Sequence, residues 1–190
     1  GALSGSVLIG RENIANLPIY EVSKKAATVF QNPKSQFFNL DTTSEILFFL
    51  ENTGTPIDLM RERLGQIASF LHIEHLLDRN IFNLSGGEKQ MIAIASALAS
   101  DTDIILFDEP TSGMDYFHMK ETASLIKSVR APDRLILIIS HDFEFLSLVA
   151  DELLLMENGK IVSQTAFSAA QAEKIFEQLR SDGEKGKGLL

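Results

Sequence analysis

The stretch from Asn83 to Gln90, NLSGGEKQ, constrains the fold of this chain more than any other. Ser85 and Glu88 stand in the S-x-x-E spacing of a capping box, in which two side chains satisfy free backbone donors at the start of a helix. An apolar pattern follows, so we predict that a helix begins here. Gly86 and Gly87 leave the first backbone N–H groups uncovered, and uncovered N–H groups at a helix N-terminus favour an anion. On these residues alone, a well-capped helix without a ligand is the alternative.

Three apolar segments predict the strands of a buried parallel sheet. They are Ala26 to Phe30, Asp103 to Phe107 and Leu135 to Ile139. Uninterrupted apolar runs are typical of strands that are covered on both faces, and parallel strands need crossover helices between them. Helical patterns lie between these segments, so the sequence predicts an α/β fold. Polar residues follow each segment, at the carboxyl end of a strand, where α/β sheets place their ligand groups.

Asp108 and Glu109 are adjacent carboxylates at the end of the second predicted strand. Asp108 would hold Mg²⁺, because this ion takes one or two carboxylates together with phosphate oxygens. Glu109 would orient or deprotonate an attacking water. Two solvated charges at the start of a loop are the simpler reading of the same pair.

Three more polar residues are candidates whose neighbours must decide their role. Gln31 ends the first predicted strand, and it either contributes to a site or merely closes that strand. His141 follows the third strand, where it could reach a γ-phosphate, although a single histidine is more often structural. Asp115 is a turn aspartate or the N-cap of the next helix when it is taken alone.

Composition narrows the class of protein. The net charge is −9, with 17 basic and 26 acidic side chains, and this balance disfavours nucleic-acid binding. The chain has no cysteine, so disulfides and thiolate metal sites are excluded. No apolar run approaches the length of about 18 residues that spans a bilayer.

The order and spacing of four segments resemble the ATP-binding cassette (ABC) ATPases. These segments are the Gln31 turn, LSGGEKQ from Leu84, FDEPTSGMD from Phe107, and SHD from Ser140. The resemblance covers roughly Leu3 to Gln164. It implies an α/β cassette of the P-loop NTPase type, with a mostly parallel sheet flanked by helices and an α-helical subdomain near residues 41–100.

The resemblance also implies a role for each of five residues. Gln31 matches the Q-loop glutamine, Asp108 the Walker B aspartate, Glu109 the catalytic glutamate, Asp115 the D-loop aspartate and His141 the switch histidine. By this resemblance Glu109, His141 and Gln31 are catalytic. Asp108 and Gln31 are the Mg²⁺ ligands, and ATP is the nucleotide.

The signature segment acquires a ligand from the same resemblance. Ser85, Gly86, Gly87 and Glu88 match the family signature, which closes over ATP held by a second ABC ATPase subunit or domain. The signature segment would therefore bind the phosphates of a nucleotide on another cassette. By the same resemblance, Asp115 is also a nucleotide-binding residue.

This chain departs from the family pattern in two ways. The family usually has arginine at the positions of Met91 and Ser96, and these changes are expected to weaken contacts that support the signature helix. The larger departure is that no G-x-x-x-x-G-K-[ST] phosphate-binding loop occurs in the sequence. We expect the chain to be a fragment truncated at the N-terminus, with an ABC domain over residues 1–166 and a helix and flexible tail over 167–190. Alone, it should not turn over ATP.

The segment FQNP from Phe30, followed by Gln36, Phe37 and Phe38, looks most like the ATPases of energy-coupling factor transporters. These import vitamins or transition-metal ions, so the resemblance implies a transmembrane coupling subunit and a substrate-binding membrane protein as partners. It also implies a peripheral location on the cytoplasmic face of a bacterial or archaeal membrane. A soluble ABC ATPase without a transport role, or a degenerate regulatory half, is the alternative.

Overall fold

A computed structural model describes residues 4–167, in which helices alternate with strands. The predicted helix from Ser168 to Leu179 and the predicted flexible segment from Gly183 to Gly188 lie outside the described residues. In chain order the elements are β1 (Leu8–Ile9), β2 (Glu12–Asn13), α1 (Ile19–Ser23), β3 (Ala26–Val29), α2 (Thr42–Asn52), α3 (Ile57–Leu71), α4 (Gly86–Ala99), β4 (Ile104–Asp108), α5 (Tyr116–Ser128), β5 (Leu135–Ile139), α6 (Phe143–Val149), β6 (Glu152–Glu157) and β7 (Lys160–Ala166).

The three apolar segments form one parallel sheet in the order β3-β4-β5, as the sequence predicts. Val29 lies opposite Phe107, and Asp108 lies opposite Ile139, so the three strands end at nearly the same level. Val29 and Phe107 are fully buried, which fixes the register through their packing. The parallel α/β fold class is confirmed.

The prediction that β5 is buried on both faces is wrong. Leu135, Leu137 and Ile139 are exposed, and they alternate with better-covered neighbours along the strand. β5 is the outer strand of the three-stranded sheet, and in the described part of the chain nothing shields this face of it from solvent. Hydropathy alone predicted the strand correctly, but burial also depends on what lies against it.

Two antiparallel hairpins accompany the parallel sheet. β6 pairs with β7 across Asn158 and Gly159, and both turn residues have positive φ, as a two-residue hairpin turn requires. β1 pairs with β2, with Leu8 opposite Asn13 and Ile9 opposite Glu12. Only Gly10 and Arg11 connect these two short strands.

Helices α2, α3 and α4 pack against one another before β4 begins. Helix α3 ends at Leu71 because His72 adopts the left-handed conformation, with φ of 56°. Its buried face includes Ile67, Ala68 and Leu71. All three helices contribute buried apolar residues to the core, among them Ile46, Ile67 and Ile92.

Contacts divide the described chain into two units, residues 4–112 with 130–139 and residues 113–129 with 140–167. The first unit holds the parallel sheet and helices α1 to α4. The second holds α5, α6 and the β6–β7 hairpin. The predicted helical subdomain near residues 41–100 stays a prediction. Within residues 4–167, no helix is both long enough and apolar enough to span a bilayer.

Candidate functional site

The carboxyl ends of β3 and β4 bring Gln31 to the loop that follows the acidic pair. The Gln31 side-chain amide donates a hydrogen bond of 3.0 Å to the Ser112 hydroxyl. Ser112 is tied to that pair in turn, because its N–H donates to the Glu109 carbonyl at 3.1 Å. Asp108 is the last residue of β4. Polar residues that lie far apart in sequence therefore meet at one edge of the sheet.

Glu109 holds an unusual backbone conformation at this edge. Its φ of 47° lies in the left-handed region, which is unfavourable for a residue with a side chain. The Glu109 N–H donates to the Ile139 carbonyl at 2.8 Å, so the backbone is fixed by the neighbouring strand. The chain thus turns sharply at Glu109, directly after the carboxylate of Asp108.

The capping box at the start of α4 is present. Ser85 Oγ accepts from the Glu88 N–H at 3.3 Å, and the Glu88 carboxylate accepts from the Ser85 N–H at 2.7 Å. The bond from the Ser85 N–H is the main reason that the pKa of Glu88 is lowered. The cap is therefore fully formed near neutral pH, and its charged contribution is lost as the pH falls through the lowered pKa.

Gly86 and Gly87 open the first turn of α4 to solvent. Both are exposed, and a Cβ built on either would meet nothing within 4 Å in the part of the chain that the structure describes. Their N–H groups belong to the first turn, whose donors have no acceptor inside the helix. Packing within this chain does not explain why both positions are glycine, whereas close approach of an outside ligand to the backbone would.

Lys89 and Gln90 lie under this open turn. Lys89 is buried, and its ammonium donates to the carbonyls of Leu84 and Phe82 in the loop that leads into the capping box. Gln90 is also buried, and among residues 4–167 its Nε2 has no hydrogen-bond partner. Lys89 thus fixes the position of the loop that presents Ser85.

The second unit holds the two remaining predicted site residues. Asp115 caps α5 by accepting from the His118 N–H at 3.0 Å, and this bond is the largest cause of its lowered pKa. His141 is exposed directly before α6, which Asp142 caps through the Phe145 N–H at 3.0 Å. Asp115 is therefore the N-cap of α5, which is the structural role that the sequence allowed.

The donors at the sheet edge fit a magnesium ion that is held chiefly by substrate and water. Asp108 offers a carboxylate, and the Gln31 side chain is oriented by its Nε2 bond to Ser112, with the amide oxygen as its second polar atom. Among residues 4–167, no cluster of three or more histidine or acidic side chains could form a protein-only metal cage. Magnesium in proteins is usually coordinated by only one or two carboxylates, together with phosphate oxygens of the substrate and water.

Comparison with known proteins decides the family. A family model described as ABC transporter matches residues 2–112, more than half of the chain. This chain belongs to the ABC transporter family. It is also similar in fold to cbiO1 from Clostridium perfringens, described as part of the ABC transporter complex cbiONQ. That solved structure superposes with a TM-score of 0.78 at 26% identity, over 98% of this chain and 73% of the other. The ABC cassette fold is thereby confirmed.

Sequence relatives carry related descriptions. A putative ABC transporter ATP-binding protein of Treponema denticola is 46% identical over 161 residues, which are 85% of this chain and 33% of that protein. The energy-coupling factor transporter ATP-binding protein EcfA of onion yellows phytoplasma is 38% identical over 80% of this ABC chain and 55% of its own length. The chain therefore spans about a third to a half of these curated relatives.

Sequence reasoning missed three residues that shape the ABC site. Ser112 lies within the FDEPTSGMD segment, but no sequence pattern identifies it as the hydrogen-bond partner of Gln31. Lys89 reads as a surface charge in the first turns of a helix, and only its burial reveals the carbonyl contacts. Glu45 accepts backbone N–H groups from the segment after Gln31, and no side-chain pattern predicts such a contact.

Proposed function

We propose that this chain supplies the hydrolysis and signature residues of the ATP-hydrolysing subunit of an ABC membrane importer. The observation that supports it most directly is the Gln31–Ser112 hydrogen bond, because it brings the glutamine to the loop after Asp108 and Glu109. The exposed Gly86 and Gly87 at the start of α4 provide a second surface that can approach phosphates, in addition to the residues at the end of the sheet. The descriptions of EcfA as an energy-coupling factor transporter protein and of cbiO1 as part of an ABC transporter complex support a transport role. Import of a vitamin or a metal ion follows from the resemblance of the segment from Phe30 to Phe38 to energy-coupling factor ATPases.

In the proposed mechanism each residue has a separate task. Glu109 orients the attacking water and takes its proton, and His141 donates to the γ-phosphate oxygens. Asp108 and the Gln31 amide oxygen would hold Mg²⁺, and the bound ion would supply positive charge to neutralise the phosphates. Glu109 is well suited to its task, because the left-handed turn and the bond to Ile139 fix its backbone.

The signature serves the nucleotide of a second cassette in this mechanism. The Ser85 hydroxyl already accepts from Glu88, and its own hydrogen can be directed outward to a phosphate oxygen. The first N–H groups of α4 add the positive end of the helix dipole. Closure of two cassettes on ATP and reopening after hydrolysis would then drive a membrane partner.

Residues 31–39, which we name the docking loop, form the surface proposed for that membrane partner. Short side-chain bonds hold it in shape: Gln36 accepts from the Phe30 N–H at 3.1 Å, and Asn32 accepts from the Lys34 N–H at 3.1 Å. At its end the Phe38 ring is 76% exposed. That ring stacks on Phe48 with 5.0 Å between centroids. An exposed aromatic side chain on a rigid base is a suitable anchor for an apolar partner.

Replacing Phe38 with aspartate is expected to abolish binding to the membrane partner without unfolding the chain. The side chain is mostly in solvent, so its loss removes little buried area, whereas a charge at the centre of an apolar contact is strongly unfavourable. Binding is measured by flotation with vesicles that contain the transporter's transmembrane coupling protein. Vesicles of the same lipids without protein give the background.

Phe117→Asp is the matched control, since Phe117 is a comparably exposed phenylalanine on α5, outside the docking loop. It should float with the vesicles as the wild type does. A Phe38→Asp variant that unfolds would show that the ring belongs to the core. Wild-type protein that never floats above background would contradict the transport proposal and favour a soluble ABC ATPase.

A further inference from the structure

The carboxylate of Glu45 lies at the junction between the docking loop and helix α2. It is only 4% exposed, although glutamate is rarely buried without a partner. Its Oε2 accepts from the Phe38 N–H at 3.0 Å and the Asn39 N–H at 2.8 Å. The Asn39 side-chain amide adds a third contact at 3.3 Å. No basic side chain lies within 4 Å of the Glu45 carboxylate in the described part of the chain, so the two backbone N–H groups and the Asn39 amide stabilise it.

Helix α2 is itself fixed to the segment that leads into the signature. Thr42 is fully buried, donates from its hydroxyl to the Leu76 carbonyl at 2.6 Å and accepts from the Arg79 N–H at 3.2 Å. The Ile81 N–H donates to the Leu40 carbonyl at 2.9 Å. The first turn of α2 is therefore a stationary base, and the Glu45 bonds attach the docking loop to it.

Helix α4 also reaches this residue. Ser96, where the family usually has arginine, donates from its hydroxyl to the Glu45 carbonyl at 3.3 Å and to the Ile92 carbonyl at 3.0 Å. The short serine side chain places no cation near Glu45. The carboxylate thus remains available to the two loop N–H groups, which bond more strongly to a charged acceptor than to a neutral one.

We propose that Glu45 is a positioning residue whose buried carboxylate fixes the end of the docking loop and so the orientation of the exposed Phe38 ring. The assignment of a task to that ring rests on the proposed function, whereas the positioning does not. Two bonds to consecutive N–H groups define both the place and the direction of the backbone at Phe38 and Asn39. A loop presented in one orientation loses less conformational entropy when a partner binds.

The test is amide hydrogen exchange, resolved by residue, on the full 190-residue chain with three variants. Glu45→Ala removes the acceptor and should speed exchange at Phe38 and Asn39 by at least about tenfold, since a hydrogen bond to a charged group contributes more than 1.4 kcal/mol. Glu45→Gln keeps an oxygen without the charge and should speed the same amides severalfold. Glu51→Gln, an exposed position on the same helix, should change neither.

The pattern of exchange separates positioning from general support of the fold. Buried amides such as those of Ile46 and Ile92 should exchange as in the wild type in Glu45→Gln, because they do not depend on the loop. Unchanged exchange at Phe38 and Asn39 in Glu45→Gln overturns the proposal, and so does equal acceleration at Ile46 and Ile92. Because Glu45→Gln alone decides these outcomes, the result holds even if Glu45→Ala does not fold.

The vesicle experiment then distinguishes the two proposals. Glu45→Gln should weaken flotation severalfold, and Phe38→Asp should abolish it. If the loop amides accelerate while Phe38→Asp has no effect on flotation, the docking function fails and the positioning stands. If Phe38→Asp abolishes flotation while the loop amides of Glu45→Gln exchange as in the wild type, the docking function stands and the positioning by Glu45 is overturned.

Discussion

Replacing Glu109 with glutamine is expected to lower the rate of ATP hydrolysis by at least about a hundredfold, which is the usual contribution of a general base. Glutamine has nearly the same shape, but it cannot take a proton from water. Because the backbone of Glu109 is fixed by the Ile139 carbonyl, the substitution should leave the geometry of the loop unchanged. Binding of Mg-ATP should therefore persist while turnover is lost.

The measurement uses a fusion of this chain to the phosphate-binding loop, strand and helix of an ABC ATP-binding relative, with phosphate release as the readout. Glu121→Gln is the matched control, because Glu121 is exposed on α5 and lies outside every motif. It should hydrolyse ATP as the unsubstituted fusion does. A Glu109→Gln fusion that retains more than about a tenth of the rate would remove Glu109 from the proposed role of base.

Replacing Gly87 with alanine is expected to separate stability from assembly. Alanine is favoured over glycine inside a helix by up to about 1 kcal/mol, and the added methyl group meets nothing within 4 Å among the described residues, so α4 should be slightly stabilised. The same methyl group projects from the first turn, where the phosphates of a second cassette must approach. ATP-dependent association of two cassettes should weaken at least about tenfold, the effect of losing about 1.4 kcal/mol.

Gly65 on α3 offers an internal comparison for this prediction. It is an exposed helical glycine whose Cβ would also meet nothing within 4 Å. Gly65→Ala should raise the free energy of unfolding without changing association, measured by sedimentation of Glu109→Gln fusions with Mg-ATP. Equal association of the Gly87→Ala and Gly65→Ala fusions would contradict the phosphate-binding role of the signature turn.

Local patterns predicted the local structure well because the forces involved act over a few residues. The capping box that begins α4 depends only on Ser85 and Glu88, which lie within one helical turn of each other. Parallel pairing of the apolar segments followed from their composition and from the helices between them. The expected burial of β5 was wrong, because burial depends on neighbours that are remote in sequence.

The contacts that give the site its shape were not readable from the sequence. Gln31 meets Ser112 across 81 positions, and only the paired strands bring them together. Glu45 bonds to backbone N–H groups, which every residue except proline provides, so no choice of partner side chain reveals it. Lys89 likewise donates to a backbone carbonyl, a group that every residue provides, so its contact could not be read from the sequence either. Motifs identified the chemistry, whereas the fold determined which groups support it.

Calorimetric titration with Mg-ATP, performed on this 190-residue chain and on the fusion that carries a phosphate-binding loop, tests the central claim most directly. In the proposed mechanism, the signature and the strand-end residues act on a nucleotide whose phosphates are held mainly by a phosphate-binding loop. It predicts no detectable binding to the chain alone and micromolar binding to the fusion. Micromolar binding to the chain alone would contradict the account, because it would reveal a phosphate site other than the one described.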